Sequence, residues 1–391
     1  MLLNFGKIRE KDFFQPSEGL KTMNPYKILK ERGFYQRETH PNDHAVEKLF
    51  EKEKVKAYIG FDGTAPSLHV GSLMGIMALS HLQREGHTPI VLIGGATTLV
   101  GDPSGKQELR KMLPEEEVEQ NSQAIQKQIE HFLGKENVIY ENNFNWLGKM
   151  GLIPFLREVG PRFTIAEMLT TESYKTRLEK GLTFLEFTYQ LFQAYDFLHL
   201  YRTYQCKLQM GGDDQWGNIC AGVDLVRKIE GAQVEGLTYP LLTTASGTKM
   251  GKTEKGALWL DGNLTPPYDF YQYWINVDDR DVGRLLRFYT YLPLEEIQKL
   301  EQLEGADIRK AKEVLAFEIT KLVHGKEEAE KAKKAAKALF YGGASKEGVP
   351  TIEVEIKRLE EGIPLLDAFL EAGLIKSKSE GRRKLKEGGI Y

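Results

Sequence analysis

The sequence predicts an α/β fold: an open parallel sheet, interrupted by a helical insertion and followed by an α-helical region. Three observations predict it. Val55 to Phe61, VKAYIGF, is a run of β-branched and aromatic residues that stops at Asp, Gly and Pro, as a buried strand does. Leu68, Leu73, Ile76, Met77, Leu79 and Leu82 then recur at helical spacing until Gly86 ends the pattern. Pro89 to Gly94, PIVLIG, is continuously apolar, as in a strand covered on both faces. Strand, helix and strand within about forty residues make a βαβ unit, which pairs its strands in parallel.

Taken in order, residues 1–54 read as an N-terminal extension and helical lead-in, with Met23 as a second candidate start. Ser67 is expected to cap the first sheet-covering helix. Residues 107–170 have charged and polar helical faces and read as the insertion within an α/β domain spanning 55–260. CKLQMGG running into DDQWGNICAGVDLVRK forms a second strand–loop–helix unit. Residues 261–340 read as a linker and a helical domain, whose last part, 305–340, is two amphipathic helices broken at His324-Gly325. Gly342, Gly343, Gly348 and Pro350 mark 341–362 as a linker, and 363–391 is a short basic segment.

Composition narrows the function classes. A chain of 391 residues fits two or three domains. Its net charge of −3 gives no global attraction to polyanions, so any nucleic-acid partner must be met by local patches. Cys206 and Cys220 are too few for four-ligand zinc and read as small, partly buried residues in a reducing compartment. The first residues lack the apolar core of a signal peptide, and the longest apolar run is too short to span a bilayer. A soluble, cytoplasmic protein is expected.

Five segments suit a nucleotide and a second ligand. GFDGTAPSLHVGSL places His69 and Gly71 at a helix start, where free N–H groups and the helix dipole favour an anion. Gly71 has no Cβ to obstruct a ligand; the plain alternative is a histidine that caps its own helix. GTKMGKTEKG puts Lys249 and Lys252 on a loop able to neutralise a leaving pyrophosphate, although most lysine pairs are solvated surface. LQMGGDDQWGN offers Asp213 or Asp214 to ribose hydroxyls. GGATTLVGDPSGK is a glycine-rich strand exit bearing Asp102 and Lys106, and lacks the P-loop pattern. In FTYQLFQAYDF, Tyr189, Gln193 and Asp196 fall four and three apart on one helix face.

At these residues the sequence resembles the class I aminoacyl-tRNA synthetases, whose HIGH and KMSKS signatures are matched by HVGS (His69–Ser72) and KMGKT (Lys249–Thr253). Within that class it is similar to the bacterial-type tyrosyl-tRNA synthetases, through YIGFDGTAPSLHVG, GDPSGK, QAYDF, GGDDQWGN and PPYDFYQYWINVDDRDV. The resemblance runs from about Lys54 to the end. It implies a Rossmann-like parallel sheet with a helical insertion, an α-helical anticodon-binding domain and a partial S4-like α+β segment. It also implies formation of tyrosyl-adenylate from L-tyrosine and ATP with Mg²⁺, transfer to tRNA(Tyr), and a homodimer whose interface lies near 150–190.

Residue by residue, the resemblance assigns the substrate phenol to Tyr58 and Asp196 and the ammonium to Tyr189, Gln193 and Asp102. Asp62, Thr97, Gln209 and Gln215 line or support that pocket. For ATP it implies Gly60, His69, Gly71, Ser72, Gly212, Asp214, Lys249 and Lys252, with Thr253 completing the second signature and Lys106 and Arg110 assisting the pyrophosphate. No dedicated protein metal cage is read. The chain departs from the family at Gly63 (commonly Pro), Ser72 (His) and Asp213 (Ser), while Gly251 and Thr253 stand in place of the two serines of the class signature, a change also usual in tyrosyl enzymes. Of the adjacent carboxylates, Asp214 is assigned to ribose and Asp213 is not. In SKSEGRRKLKEGG, Lys376, Lys378, Arg382, Arg383, Lys384 and Lys386 would meet phosphates, and the family continues beyond the point where this sequence stops.

Three other functions compete. A tryptophanyl-tRNA synthetase shares the fold, but Tyr58 with Asp196 suits a phenol better than an indole. A small-molecule nucleotidylyltransferase would not need the C-terminal parts. A non-catalytic RNA-binding relative is disfavoured by intact His69, Lys249 and Lys252.

Overall fold

The computed structural model describes residues 23–104, 112–179, 181–253, 256–341, 354, 356–375 and 377–386. Its centre is a six-stranded sheet of β1 (Arg37–Glu38), β2 (Lys56–Phe61), β3 (Thr88–Ile93), β4 (Ile139–Asn142), β5 (Leu208–Gly212) and β6 (Glu235–Tyr239), in the order β1-β6-β5-β2-β3-β4. Every neighbouring pair is parallel except β1 with β6. From β2 the chain builds outward to β3 and β4, then returns to build β5 and β6 on the other side. The strand order therefore reverses between β2 and β5, where Tyr58 stands opposite Gln209. Open sheets bind ligands at such a switch point, because the connections diverge and leave a crevice at the strand ends.

The helices cover both faces. Before the sheet proper come α1 (Pro25–Glu31) and α2 (Ala45–Lys52); α3 (Val70–Arg84) lies over β2 and β3, burying Leu73, Ile76 and Met77. Then follow α4 (Gly95–Val100), α5 (Glu115–Leu133), and the short helices α6 (Phe144–Leu147), α7 (Leu152–Glu158), α8 (Ile165–Met168) and α9 (Glu172–Leu178). On the opposite face α10 (Phe184–Tyr204) and α11 (Trp216–Glu230) pack Ala194, Phe197, Leu198, Val223 and Val226 in one cluster with Ile90 and Leu92. The start of α10 is set by a capping box, with Thr183 and Glu186 each satisfying the other's backbone N–H.

After the two-stranded ribbon β7 (Lys252–Thr253) and β8 (Gly256–Ala257) come α12 (Pro267–Ile275), α13 (Val282–Tyr289), α14 (Leu294–Glu301) and α15 (Ile308–His324). Phe270, Trp274, Leu285, Leu286, Leu315 and Ile319 are buried among them. Next is α16 (Lys326–Tyr341), separated from α15 by Gly325, so the expected break at His324-Gly325 is present. The chain divides into two compact units, one through Ala329 and one from Glu330. In the second, α17 (Ile356–Glu361), α18 (Leu365–Glu371) and α19 (Lys378–Lys386) are held by a paired Arg358–Glu371 fork and by Gly381 set against Leu366 and Ile375.

Four expectations need correction. The segment 107–170 is not purely helical, because Ile139–Asn142 forms edge strand β4, too short and too polar to show a strand pattern. The lead-in before residue 55 contributes strand β1 as well as helices. The segment 341–362 includes helix α17. Ser67 does not cap α3: its hydroxyl donates to the Leu68 carbonyl and accepts from Gln128 and the Asp261 amide, while His69 is the cap.

Candidate active site

A cavity of about 310 Å³ opens at the switch point, between the ends of β2 and β5. Tyr58, Asp62, Thr97, Asp102, Tyr189, Gln193, Asp196, Gln209 and Gln215 all line it, and so do Gly60, Gly212, Asp214 and Lys249. Strands β2 and β5 supply Tyr58, Gly60, Gln209 and Gly212; the exit of β3 supplies Thr97 and Asp102; α10 supplies the Tyr189, Gln193 and Asp196 face.

At the inner end, Tyr58 is 2% exposed and its hydroxyl has no hydrogen-bond partner among the described residues. An unmet buried hydroxyl is costly, so this one marks where a polar ligand atom belongs. Asp196 shares that end. Its Oδ1 accepts from Trp146 Nε1 at 2.8 Å and its Oδ2 from Asn143 Nδ2 at 2.9 Å. Burial raises its pKa to about 7; those two donors oppose the rise, and the Asp62 charge adds to it. The Tyr58 phenol is pushed well above its ordinary value by burial and by Asp196. Each Asp196 oxygen retains a lone pair, so the carboxylate can still accept from a ligand hydroxyl.

A chain of hydrogen bonds leads outward. Asn143 Nδ2 also donates to Thr97 Oγ1 (3.0 Å), Thr97 Oγ1 donates to Asp62 Oδ1 (2.9 Å), and Tyr189 OH donates to Asp62 Oδ2 (3.1 Å). Beside it, Gln193 Nε2 donates to Gln209 Oε1 (3.0 Å). Asp102 accepts from Gln215 Nε2 (2.6 Å) and from the Ser104 amide (2.8 Å). At the mouth, loss of hydration around its carboxyl raises the Asp214 pKa to about 6; Asp102 adds to the rise and Lys249 offsets it. The wall is thus acidic, suited to an ammonium group, with one lysine at the rim. Asp213 turns away: Arg37 holds it through two bonds (2.7 and 2.5 Å) and Thr238 donates to it at 2.8 Å.

His69, Gly71 and Ser72 stand outside the cavity, on the adjoining turn. His69 Nδ1 accepts from the Gly71 amide at 3.0 Å, so the histidine does cap its own helix. A Cβ at residue 71 would lie 2.8 Å from the His69 ring, so a side chain here would displace the histidine. The turn is bonded to the chain that leaves the lysine loop: the Val70 amide donates to the Leu258 carbonyl (3.1 Å) and the Leu260 amide to the Leu68 carbonyl (2.9 Å). The two signatures, about 180 residues apart in sequence, are therefore neighbours. The side chains of Lys252 and Thr253, and Lys106, Arg110 and Lys376 entirely, lie outside the described residues, as do the side chains of Lys384 and Lys386. Lys378 pairs with Asp367, and Arg382 and Arg383 are exposed on α19.

Sequence reasoning missed Asn143 and Trp146, which hold Asp196, and Arg37, which occupies Asp213. The signal was ENNFNW: had β4 been recognised, its exit would have pointed to the same sheet edge as the other strand exits. A larger groove of about 830 Å³ adjoins the cavity, with Asp214 in the wall of both and Arg37, Glu172 and Trp216 along its side. Both cysteines are free, Cys206 being buried.

A switch-point crevice with a helix start and a lysine loop bonded together beside it belongs to the nucleotide-binding α/β class of proteins. The chain is, more narrowly, a member of the tRNA synthetases class I (W and Y), whose family model matches residues 51–341. It is 55% identical over 371 residues to the tyrosine–tRNA ligase of Caldanaerobacter subterraneus subsp. tengcongensis, covering 94% of this chain and 90% of that relative. With the tyrosine–tRNA ligase of Acetivibrio thermocellus the identity is 50%, over 93% and 90%. The crystal structure of a C-terminally truncated Aspergillus nidulans mitochondrial tyrosyl-tRNA synthetase superposes with a TM-score of 0.74 at 31% identity, covering 84% of this chain and 99% of that one.

Proposed function

We propose that the chain is a tyrosine–tRNA ligase, condensing L-tyrosine with ATP to tyrosyl-adenylate and pyrophosphate and then passing the tyrosyl group to the 3′ end of tRNA(Tyr). The observation that carries this is the Tyr58 hydroxyl, buried beside Asp196 without a partner among the described residues. A phenol both donates and accepts: it gives its proton to Asp196 and accepts from Tyr58. An indole N–H only donates, so it cannot accept the Tyr58 proton, and a phenyl ring leaves the Tyr58 hydroxyl unmet and offers Asp196 no donor beyond Asn143 and Trp146.

In the first step the substrate carboxylate oxygen attacks the α-phosphorus while the bond to pyrophosphate breaks. No acid–base residue is needed, since the nucleophile is already ionised; the protein positions the reactants and stabilises charge. Tyr189, Gln193 and Asp102 receive the ammonium; Gly60, Gly212 and Asp214 receive the nucleoside. His69, Ser72, Lys249, Lys252 and Thr253 attend the phosphates, with Lys106 and Arg110 assisting the leaving group. Mg²⁺ enters with ATP as part of the substrate and is carried by the phosphates; among the described residues no three acidic, His or Cys side chains cluster as a cage.

The adjoining groove gives the tRNA end a way to the adenylate. A homodimer is supported by the apolar side chains exposed between α7 and α10, with Leu152, Ile153, Ile165 and Phe184 each more than 60% exposed. Among the described residues no helix is long and apolar enough to cross a membrane, and the cytoplasm is where the proposed reaction belongs. Tyrosine-dependent ATP–pyrophosphate exchange, run beside tryptophan and phenylalanine, tests the reading. Exchange with tyrosine alone is expected; equal exchange with tryptophan would refute it.

A further inference from the structure

Around the lysine loop runs a closed circuit of contacts that the family signatures do not include. Gly251 lies between Lys249 and Lys252 with φ +82°, and a Cβ there would come within 2.7 Å of Val70 Cγ2. Its N–H donates to the Tyr273 phenolic oxygen at 3.0 Å, and its carbonyl accepts from the Leu258 amide at 2.8 Å. Leu258 in turn accepts from the Val70 amide (3.1 Å), and the Val70 carbonyl accepts from Tyr289 OH at 2.8 Å. Trp274 closes the circuit, its ring centroid 5.2 Å from Tyr273 and 5.5 Å from Tyr289. Tyr273 and Trp274 come from α12 and Tyr289 from α13, so the helical region holds both the helix-start turn and the lysine loop. On the reading above, that loop acts on the pyrophosphate, and a backbone amide in a left-handed turn has a side-chain phenol as its acceptor.

We propose that Tyr273 is a positioning residue for adenylate formation: by accepting the Gly251 amide it fixes the backbone between Lys249 and Lys252 against the Val70 turn. The phenol lies outside the lining of the cavity and acts through the loop. Its ring packs on Trp274, so removing the hydroxyl alone leaves the helical packing in place. Tyr268, on the same helix, accepts from Gln272 instead and serves as the matched control.

The test compares Tyr273→Phe and Tyr268→Phe in the full chain by pyrophosphate exchange, thermal unfolding, and mass-spectrometric timing of tryptic cleavage after Lys249, Lys252 and Lys255. Loss of one such bond corresponds to about 3- to 10-fold. Tyr273→Phe is expected to lower kcat by that factor with the KM for tyrosine unchanged, to speed cleavage within the loop about as much, and to unfold at the temperature of the control. Unchanged cleavage overturns the proposal whatever the kinetics. So does faster cleavage with unchanged kcat, a loss seen instead as a raised KM for tyrosine, or a melting point well below the control. If the parent protein shows no tyrosine-dependent exchange, the functional reading fails by itself, and the cleavage comparison still decides whether Tyr273 holds the loop.

Discussion

A phenolic hydroxyl entering between Tyr58 and Asp196 meets one donor and one acceptor, each already set by the fold. Tyr58→Phe removes the donor while keeping the ring that packs on Phe197 at 5.4 Å. It should weaken tyrosine binding by about 3- to 10-fold and raise the relative use of phenylalanine, read as the ratio of kcat/KM values in pyrophosphate exchange. Asp196 supplies a pH test. Its carboxyl titrates near 7 in the folded protein, against an ordinary value of 3.8. Between those two values the folded state keeps a proton that the unfolded chain has released, so this group's contribution is present below about 4 and lost as pH rises through 7. Asp196→Asn should flatten that part of the stability profile in denaturant titrations from pH 4 to 7.5. A profile unchanged by the substitution would show that the carboxyl is not the titrating group.

Among the elements, the start of α3 shows two demands on one glycine. His69 caps the helix by accepting from Gly71, and any side chain at 71 runs into the imidazole. Gly71→Ala gains up to about 1 kcal/mol of helix propensity and loses a cap contribution of about 1 kcal/mol. Stability should therefore change by less than about 1 kcal/mol. With the imidazole displaced, the KM for ATP should rise by about 10-fold or more, measured in the same exchange assay. A marked drop in melting temperature with an unaltered KM would mean the turn serves the helix alone. The strand exits carry a parallel lesson. Four of them converge because the sheet is parallel, and the β4 exit brings Asn143 and Trp146 under Asp196 from a segment whose sequence looked helical.

For the whole molecule, the apolar side chains between α7 and α10 bear on assembly. Phe184 is 80% exposed and Leu152 69%, more apolar exposure than a solitary surface residue needs. Phe184→Asp combined with Leu152→Asp should shift the protein from dimer to monomer in sedimentation velocity, with the far-ultraviolet circular dichroism spectrum retained. A parent protein that sediments as a monomer at micromolar concentration would overturn the dimer proposal.

Much of this was legible in the residues alone. The βαβ period and the broken pair of C-terminal helices follow from hydrophobic spacing, since strands buried on both faces and amphipathic helices leave strong local patterns; most of the cavity-lining side chains were assigned through the resemblance to the class I synthetases. The motif residues Tyr58, Asp102, Asp196, Gln209 and Asp214 were named from sequence, and they share one cavity. Only the tertiary structure decided how those residues are held: that Asn143 and Trp146 brace Asp196, that Arg37 takes Asp213 out of the site, that His69 caps its helix, and that Tyr273 and Tyr289 reach the two signature loops from the helical region. Apart from the His69 cap, which is local, each of these is a contact between residues distant in sequence. Hydrophobic periodicity records which face of an element is buried, and carries no information about which polar atom waits on the other side.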